Sequence, residues 1–223
     1  MKWTAASARR IFARATQYDR DNPLLTIERP ETEALLPELA GLDVVDLGAG
    51  HAHYARLARA RGARRVAAVD VSAAMLRGVP LPAVVADAAA LPLASGSADV
   101  VIAALMLSYV DRVRALLEVA RVLRPSGVLV ISELHARGAA QGGWRRTFRG
   151  ATGRTLAVEA PPPDPRALAG ELDAAGFHLE VYRETAVDQR LEPHFRRAGR
   201  QDLPTLMGLP LLVHLVARRG HDA

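Results

Sequence analysis

Two glycines and three aspartates carry the densest chemical signal in this 223-residue chain. In Val44-Val45-Asp46-Leu47-Gly48-Ala49-Gly50 a β-branched run ends in an acid and then in a Gly-x-Gly turn. Gly48 allows a sharp turn, and Gly50 lets the backbone approach a ligand where a Cβ would collide. Asp70 stands 22 residues after Gly48, close to the ~20-residue spacing of an acid that binds ribose. A carboxylate only accepts hydrogen bonds, so it suits both hydroxyls of a vicinal diol. Asp87 ends the next short apolar run. It suits an adenine amino group, with the Ala88 amide donating to a ring nitrogen. The spacing therefore implies an adenosine-like ligand. A dinucleotide turn would carry a third glycine where His53 stands, and no Walker lysine follows.

Other side chains suit catalysis or acceptor binding. His135, just past a fifth strand, is the candidate general base. His51 is a candidate contact for a carboxylate, and His53 reads as exposed or packed. Trp144, Arg145, Arg146 and Phe148 form a candidate wall over an acceptor. Strand alternation puts Arg145 opposite to Trp144 and Arg146. An arginine there would hold an acidic or phenolate substrate. Asp99 reads as a turn or cap residue.

These residues need strand ends to position them. The pattern predicts helices over 5–17 and 29–39, the second with Pro30 in its first turn and with Asn22-Pro23 as a break before it. Strands follow at 43–47, 65–69, 83–86, 98–103 and 128–132. Between them fall a helix after the glycine turn, a short helix capped by Ser72 and an amphipathic helix over 112–123 capped by Asp111. Two extended runs, 144–149 and 154–159, flank Gly150-Ala151-Thr152-Gly153 and read as a β-hairpin. A helix from Asp164 or Pro165 to Ala175 ends at Gly176, and strands at 177–185 and 211–217 complete the chain. The alternation implies an α/β fold, a mainly parallel sheet with helices on both faces and a small β-hairpin insertion after strand 5. In a parallel sheet ligands bind beyond the carboxyl ends of the strands, where all three acids stand.

Composition narrows the classes. With no cysteine, disulfides, thiol catalysis and Cys-ligated zinc are excluded. The formal charge is +5, and 28 of the 29 basic residues are arginine, a bias that reads as GC-rich coding. Acids offset the bases, as Glu118 with Arg121 and Glu133 with Arg137, so nucleic acid binding is not indicated. Neither the apolar run 100–107 nor the segment 205–217 suits a bilayer span. No signal-peptide pattern is read, and a cytoplasmic location is expected.

The chain resembles the class I S-adenosylmethionine-dependent methyltransferases, of the broad group that includes the ubiquinone/menaquinone methyltransferases. The likeness runs over about residues 40–135. It rests on the glycine-turn stretch, on Ala68-Val69-Asp70-Val71-Ser72-Ala73-Ala74-Met75-Leu76, on Ala86-Asp87-Ala88 with Leu91-Pro92-Leu93, on Ser97-Ala98-Asp99-Val100-Val101, and on Ala120-Arg121-Val122-Leu123-Arg124-Pro125-Ser126-Gly127. The resemblance implies a Rossmann-like seven-stranded sheet whose last strand is antiparallel, with S-adenosylmethionine as cofactor and S-adenosylhomocysteine as product. It implies that Gly48 and Gly50 pass beside the methionine part, that Asp70 takes the ribose, and that Asp46, Ala49 and Met75 also belong to the cofactor site. Val71 would pack on the adenine, which Asp87 and Ala88 would read. Ala104 would lie near the sulfonium, and Tyr18 would close over the cofactor. The chain departs from the group at Ala52, where a third glycine is usual and where a residue already helical is expected. It departs again at Ser126, and at Ser108, where relatives often carry histidine.

One methyltransferase domain is expected over 1–223. It divides into a helical cap (1–40), a cofactor-binding core (41–133), a hairpin on the substrate side (134–160) and the C-terminal part of the sheet (161–223). The expected reaction is in-line methyl transfer to a small-molecule oxygen, nitrogen or carbon, with no metal. An RNA or protein methyltransferase, or a non-catalytic protein that binds the cofactor, is the alternative.

Overall fold

In a computed structural model of the chain, residues 5–14, 22–144, 146–149, 155–158 and 160–220 are described. Tyr18 and Arg145 fall outside them.

Five strands come first: β1 (Asp43–Leu47), β2 (Arg65–Asp70), β3 (Ala83–Val85), β4 (Ala98–Ala104) and β5 (Leu123–Leu134). Every residue of β1 is buried, as a central parallel strand covered on both faces requires. The later strands are β6 (Arg146–Arg149), β7 (Thr155–Val158), β8 (Phe177–Ala186) and β9 (Pro210–Arg219). Seven strands form one sheet in the order β3-β2-β1-β4-β5-β9-β8. The pairs from β3 to β5 are parallel, while β9 runs antiparallel to both β5 and β8. The fold class and the antiparallel last strand are as expected. β6 and β7 pair with each other in the expected antiparallel hairpin, Phe148 opposite Leu156.

The strand order turns back at β1 and β4. From β1 the chain builds outward through β2 and β3, then returns to β4 on the other side. The crossover from β1 to β2 and that from β4 to β5 carry their helices on opposite faces, so a crevice opens at the carboxyl ends of β1 and β4. Two helices cover one face, α4 (Arg112–Val122) and α6 (Pro165–Ala174), through Leu116, Val119, Leu168 and Leu172. The opposite face carries α3 (His53–Ala60), with Tyr54, Ala55 and Ala58 against Val44, Ile102 and Val130. A third apolar cluster lies at the carboxyl ends. It gathers Leu25 and Ile27 from α2 (Pro23–Glu33) with Leu105, Leu134 and Leu212. Among the described residues no helix is long and apolar enough to cross a membrane.

Several elements differ from the expectation. α2 begins at Pro23 and ends at Glu33, where the pattern predicts 29–39. Pro23 is the first helical residue rather than a breaker, because its fixed φ suits that position. The Asn22 side chain caps it, accepting from the Leu24 amide at 3.2 Å. Pro30 is therefore inside the helix. The first helix is α1 (Ala5–Phe12), with 13–14 in a turn; 15–17 of the expected span lie outside the described residues. Residues 73–78 form turns rather than a helix. Asp99 lies within β4, where it accepts from the Asp43 amide and pairs with Arg124 at 2.8 Å. Ala52 is left-handed, with φ 59°, and so is not helical. Glu118 pairs with Arg121 at 2.8 Å as expected. Glu133, by contrast, is buried and accepts from the Ser108 amide and hydroxyl, while Arg137 lies 3.9 Å from Glu184.

Candidate active site

A cleft opens at the carboxyl ends of β1, β2 and β4. The glycine turn, Asp46, Asp70, Val71, Met75, Asp87, Ala88 and Ala104 all line it. The structure thus brings together every described cofactor-side residue that the sequence singles out.

The turn after β1 is fixed from below. The amides of Gly48 and Ala49 both donate to the Val69 carbonyl, at 2.8 and 3.0 Å. The Gly50 amide donates to Asp70 Oδ2 at 2.9 Å. These three donors are spent inside the protein, so the turn makes no cradle for a phosphate. Both glycines have positive φ, which L side chains rarely adopt. A Cβ on Gly48 would stand 2.6 Å from that of Met106, and one on Gly50 would stand 3.2 Å from the methyl of Met75.

Asp70 has more partners than its spacing suggests. Besides the Gly50 amide, it accepts from the Ser72 amide at Oδ1, at 2.8 Å. A carboxylate has about four lone-pair sites, so capacity for a diol remains. Burial pushes its carboxyl above the usual range, against the pull of those two amides. Asp46 is buried deeper and accepts from the Ala55 amide at 2.8 Å. Burial first, then the neighbouring charges of Asp70 and Glu28, push it up to about 7. Asp87 is half-buried and accepts from the Ala89 amide at 3.0 Å. Leu105, directly after β4, holds φ 54° at the cleft wall, a conformation costly for a branched side chain.

The roof of the cleft comes from the first two helices. Phe12 of α1 meets Tyr109 edge to face with ring centroids 5.0 Å apart. Leu25, Glu28 and Arg29 of α2 line the cleft beside them, with Met106 and Val110. Glu28 is 1% exposed. Its Oε1 accepts from three hydroxyls: Ser132 at 2.6 Å, Tyr54 at 2.7 Å and Thr32 at 2.9 Å. Thr32 also meets Nδ1 of His214 at 3.1 Å. Because the Thr32 proton goes to Glu28, His214 donates from Nδ1 in this arrangement. Burial holds the His214 ring neutral, lowering it to about 4. The same burial, with the Glu28 charge, raises the Tyr54 hydroxyl far above its ordinary value.

The sequence reading misses Glu28, Tyr54 and Tyr109. Glu28 was legible in one way only. With the helix started at Pro23, Leu25, Glu28 and Thr32 fall on one face, and that face is buried.

His135 is not among the cleft-lining residues. It caps α5 (Ala136–Gln141), with Nδ1 3.4 Å from the Gly138 amide and Nε2 3.2 Å from Glu184. Both ring nitrogens are engaged in holding that corner. Trp144 likewise packs over Gly138 and Gly142 rather than over the cleft. Arg146 lies on the hairpin opposite Val158. Of the expected wall, only the Trp144 side chain is among those described, and it does not line the cleft. His51 and His53 do line it, and His53 Nε2 stands 2.9 Å from Glu33.

Known proteins share this arrangement. The family described as "Methyltransferase domain" matches residues 45–131. A demethylmenaquinone methyltransferase from Mycobacterium sp. (strain JLS) is 42% identical over 201 residues, covering 83% of this chain and 81% of that protein. A malonyl-[acyl-carrier protein] O-methyltransferase from Pectobacterium atrosepticum is 35% identical over 130 residues. There the match spans 55% of this chain and 51%, about half, of the relative. The crystal structure of an S-adenosylmethionine dependent methyltransferase from Mesorhizobium loti superposes with a TM-score of 0.67 at 26% identity, covering 86% of this chain and 97% of that one.

Proposed function

This chain belongs to the class I S-adenosylmethionine-dependent methyltransferases, and from that premise we propose that it methylates a small-molecule acceptor with an apolar body, at oxygen, nitrogen or carbon. The observation that carries this reading is the make-up of the cleft. Acids stand at its strand ends, and Phe12, Leu25, Leu105, Met106 and Tyr109 form an apolar mouth beside them. The kinship with demethylmenaquinone methyltransferases over most of the chain supports an acceptor of this kind.

The residues present fit the cofactor. Asp70 would hold the ribose hydroxyls with its spare lone pairs, and Asp87 with the Ala88 amide would read the adenine edge. Val71 and Met75 would flank the ring, while the Gly48–Gly50 turn and Ala104 would border the methionine end. When bound, the cofactor supplies a methyl group on a positively charged sulfur, open to in-line displacement. The apolar mouth excludes water from that methyl and holds the acceptor in line with it, which is the protein's main contribution to such a transfer. An acceptor that loses its proton readily needs no base, and we assign none.

Isothermal titration with S-adenosylmethionine tests the cofactor site. Asp70→Ala should weaken binding roughly tenfold or more, about the worth of a charge-assisted hydrogen bond. Methyl-labelled cofactor incubated with a cell extract tests the acceptor. Label should enter the small-molecule fraction; label confined to RNA or protein would refute the proposed class.

A further inference from the structure

We infer that Glu28 makes the cleft favour the positively charged cofactor over its product, so that loss of the methyl group itself loosens the ligand. The inference rests on the cofactor reading above and goes beyond it, since Glu28 belongs to none of the strand-end motifs.

Its place comes first. Glu28 is tied to Tyr54, in the helix after the glycine turn, and to Ser132, which pairs with Ala104 across β4 and β5. It therefore stands between the glycine turn and the end of β4. Asp70 and Asp87, at the ends of β2 and β3, mark the adenosine side of the cleft. Glu28 faces the other end, where the cofactor's charged groups would lie.

Its chemistry comes second. Three hydroxyl donors converge on Oε1 and hold the carboxylate in place at the cleft wall. Its negative potential is already felt within the cleft, where it helps push the Asp46 carboxyl up. A charge in a water-poor site acts at several-fold its strength in bulk water.

The discrimination follows from the ligands. S-adenosylmethionine and S-adenosylhomocysteine share the ammonium and the carboxylate, so Arg29 and the glycine turn meet the same groups in both. They differ by a methyl group and by the positive charge on sulfur. Glu28 attracts that charge and gains nothing from a neutral thioether. Transfer of the methyl group removes the attraction at the moment when the product must leave.

Titration calorimetry of the full chain with three ligands tests this. They are S-adenosylmethionine, S-adenosylhomocysteine and sinefungin, in which an amine-bearing carbon replaces the sulfonium. The wild type should bind both charged ligands roughly tenfold or more tighter than S-adenosylhomocysteine, the scale of one charge pair at an effective dielectric of ~20. Glu28→Gln should lose most of that preference while its affinity for S-adenosylhomocysteine barely changes. Equal wild-type affinity for S-adenosylmethionine and S-adenosylhomocysteine would overturn the inference. So would a variant that weakens all three ligands alike, since that would make Glu28 a partner of the shared ammonium. If Glu28→Gln does not fold, Glu28→Asp, which keeps the charge and draws it back, should keep part of the preference, and an unchanged preference would overturn the inference. Failure of the wild type to bind any of the three would instead refute the cofactor reading itself.

Discussion

Gly48 is the residue at which the cleft tolerates least change. Its φ of 70° already disfavours a side chain, and a Cβ there would press on Met106 at 2.6 Å. A left-handed alanine costs roughly 1–2 kcal/mol, and overpacking adds roughly 1–3 kcal/mol. Gly48→Ala should therefore lower the unfolding free energy by about 2–5 kcal/mol and abolish cofactor binding, as denaturant titration and calorimetry can check. Gly48 and Asp70 were legible because their roles follow from type and spacing along the chain. Glu28 was not, because its partners Ser132 and Tyr54 are distant in sequence and no local rule links them. His135 misled for a related reason. Its position after β5 is where a base would stand, but the helix that follows turns its ring to Glu184.

Among the elements, the sequence is plainest where a cap marks a boundary. Asp164 accepts from the amides of Arg166 and Ala167, and Pro165 opens α6 as its pattern predicts. α6 packs on the face away from α2 and lines no part of the cleft. Asp164→Ala should therefore cost about 1 kcal/mol of stability, seen as a fall of a few degrees in Tm, with cofactor affinity unchanged. The same cap logic misplaced α2, because Asn22-Pro23 serves equally as a break or as a start. Only the tertiary fit of Leu25 and Ile27 into the apolar cluster at the carboxyl ends decides between them. The parallel strands were legible from their apolar runs. The turns at 73–78 were not, since Ser72 suits a turn as well as a cap.

For the whole molecule, buried groups pull the response to pH in opposite senses, Asp46 and Asp70 one way and His214 the other. Asp46 is pushed up to about 7, so the folded state keeps a proton that the unfolded chain releases near 4. Its contribution to stability falls as pH rises between those values. His214 is pushed down to about 4, so the unfolded chain takes a proton first, and stability rises with pH from about 4 to 6.5. Asp46→Asn should gain stability relative to the wild type as pH rises, on the order of 4 kcal/mol between pH 4 and 8, as urea titrations across that range would show. A cationic ligand favours ionised Asp46, so cofactor affinity in the wild type should rise through pH 7.

The bonds around Glu28 also fix when the cleft can exist. Thr32 meets His214 across 182 positions, and Glu28 meets Ser132 across 104. A chain emerging from the ribosome makes α2 well before β9. With residues 1–131 synthesised it holds the whole glycine-turn motif, yet both Ser132 and His214 are still missing from the roof. The cleft is therefore a late product of synthesis, and a nascent chain displays the cofactor signature well before it can retain the cofactor.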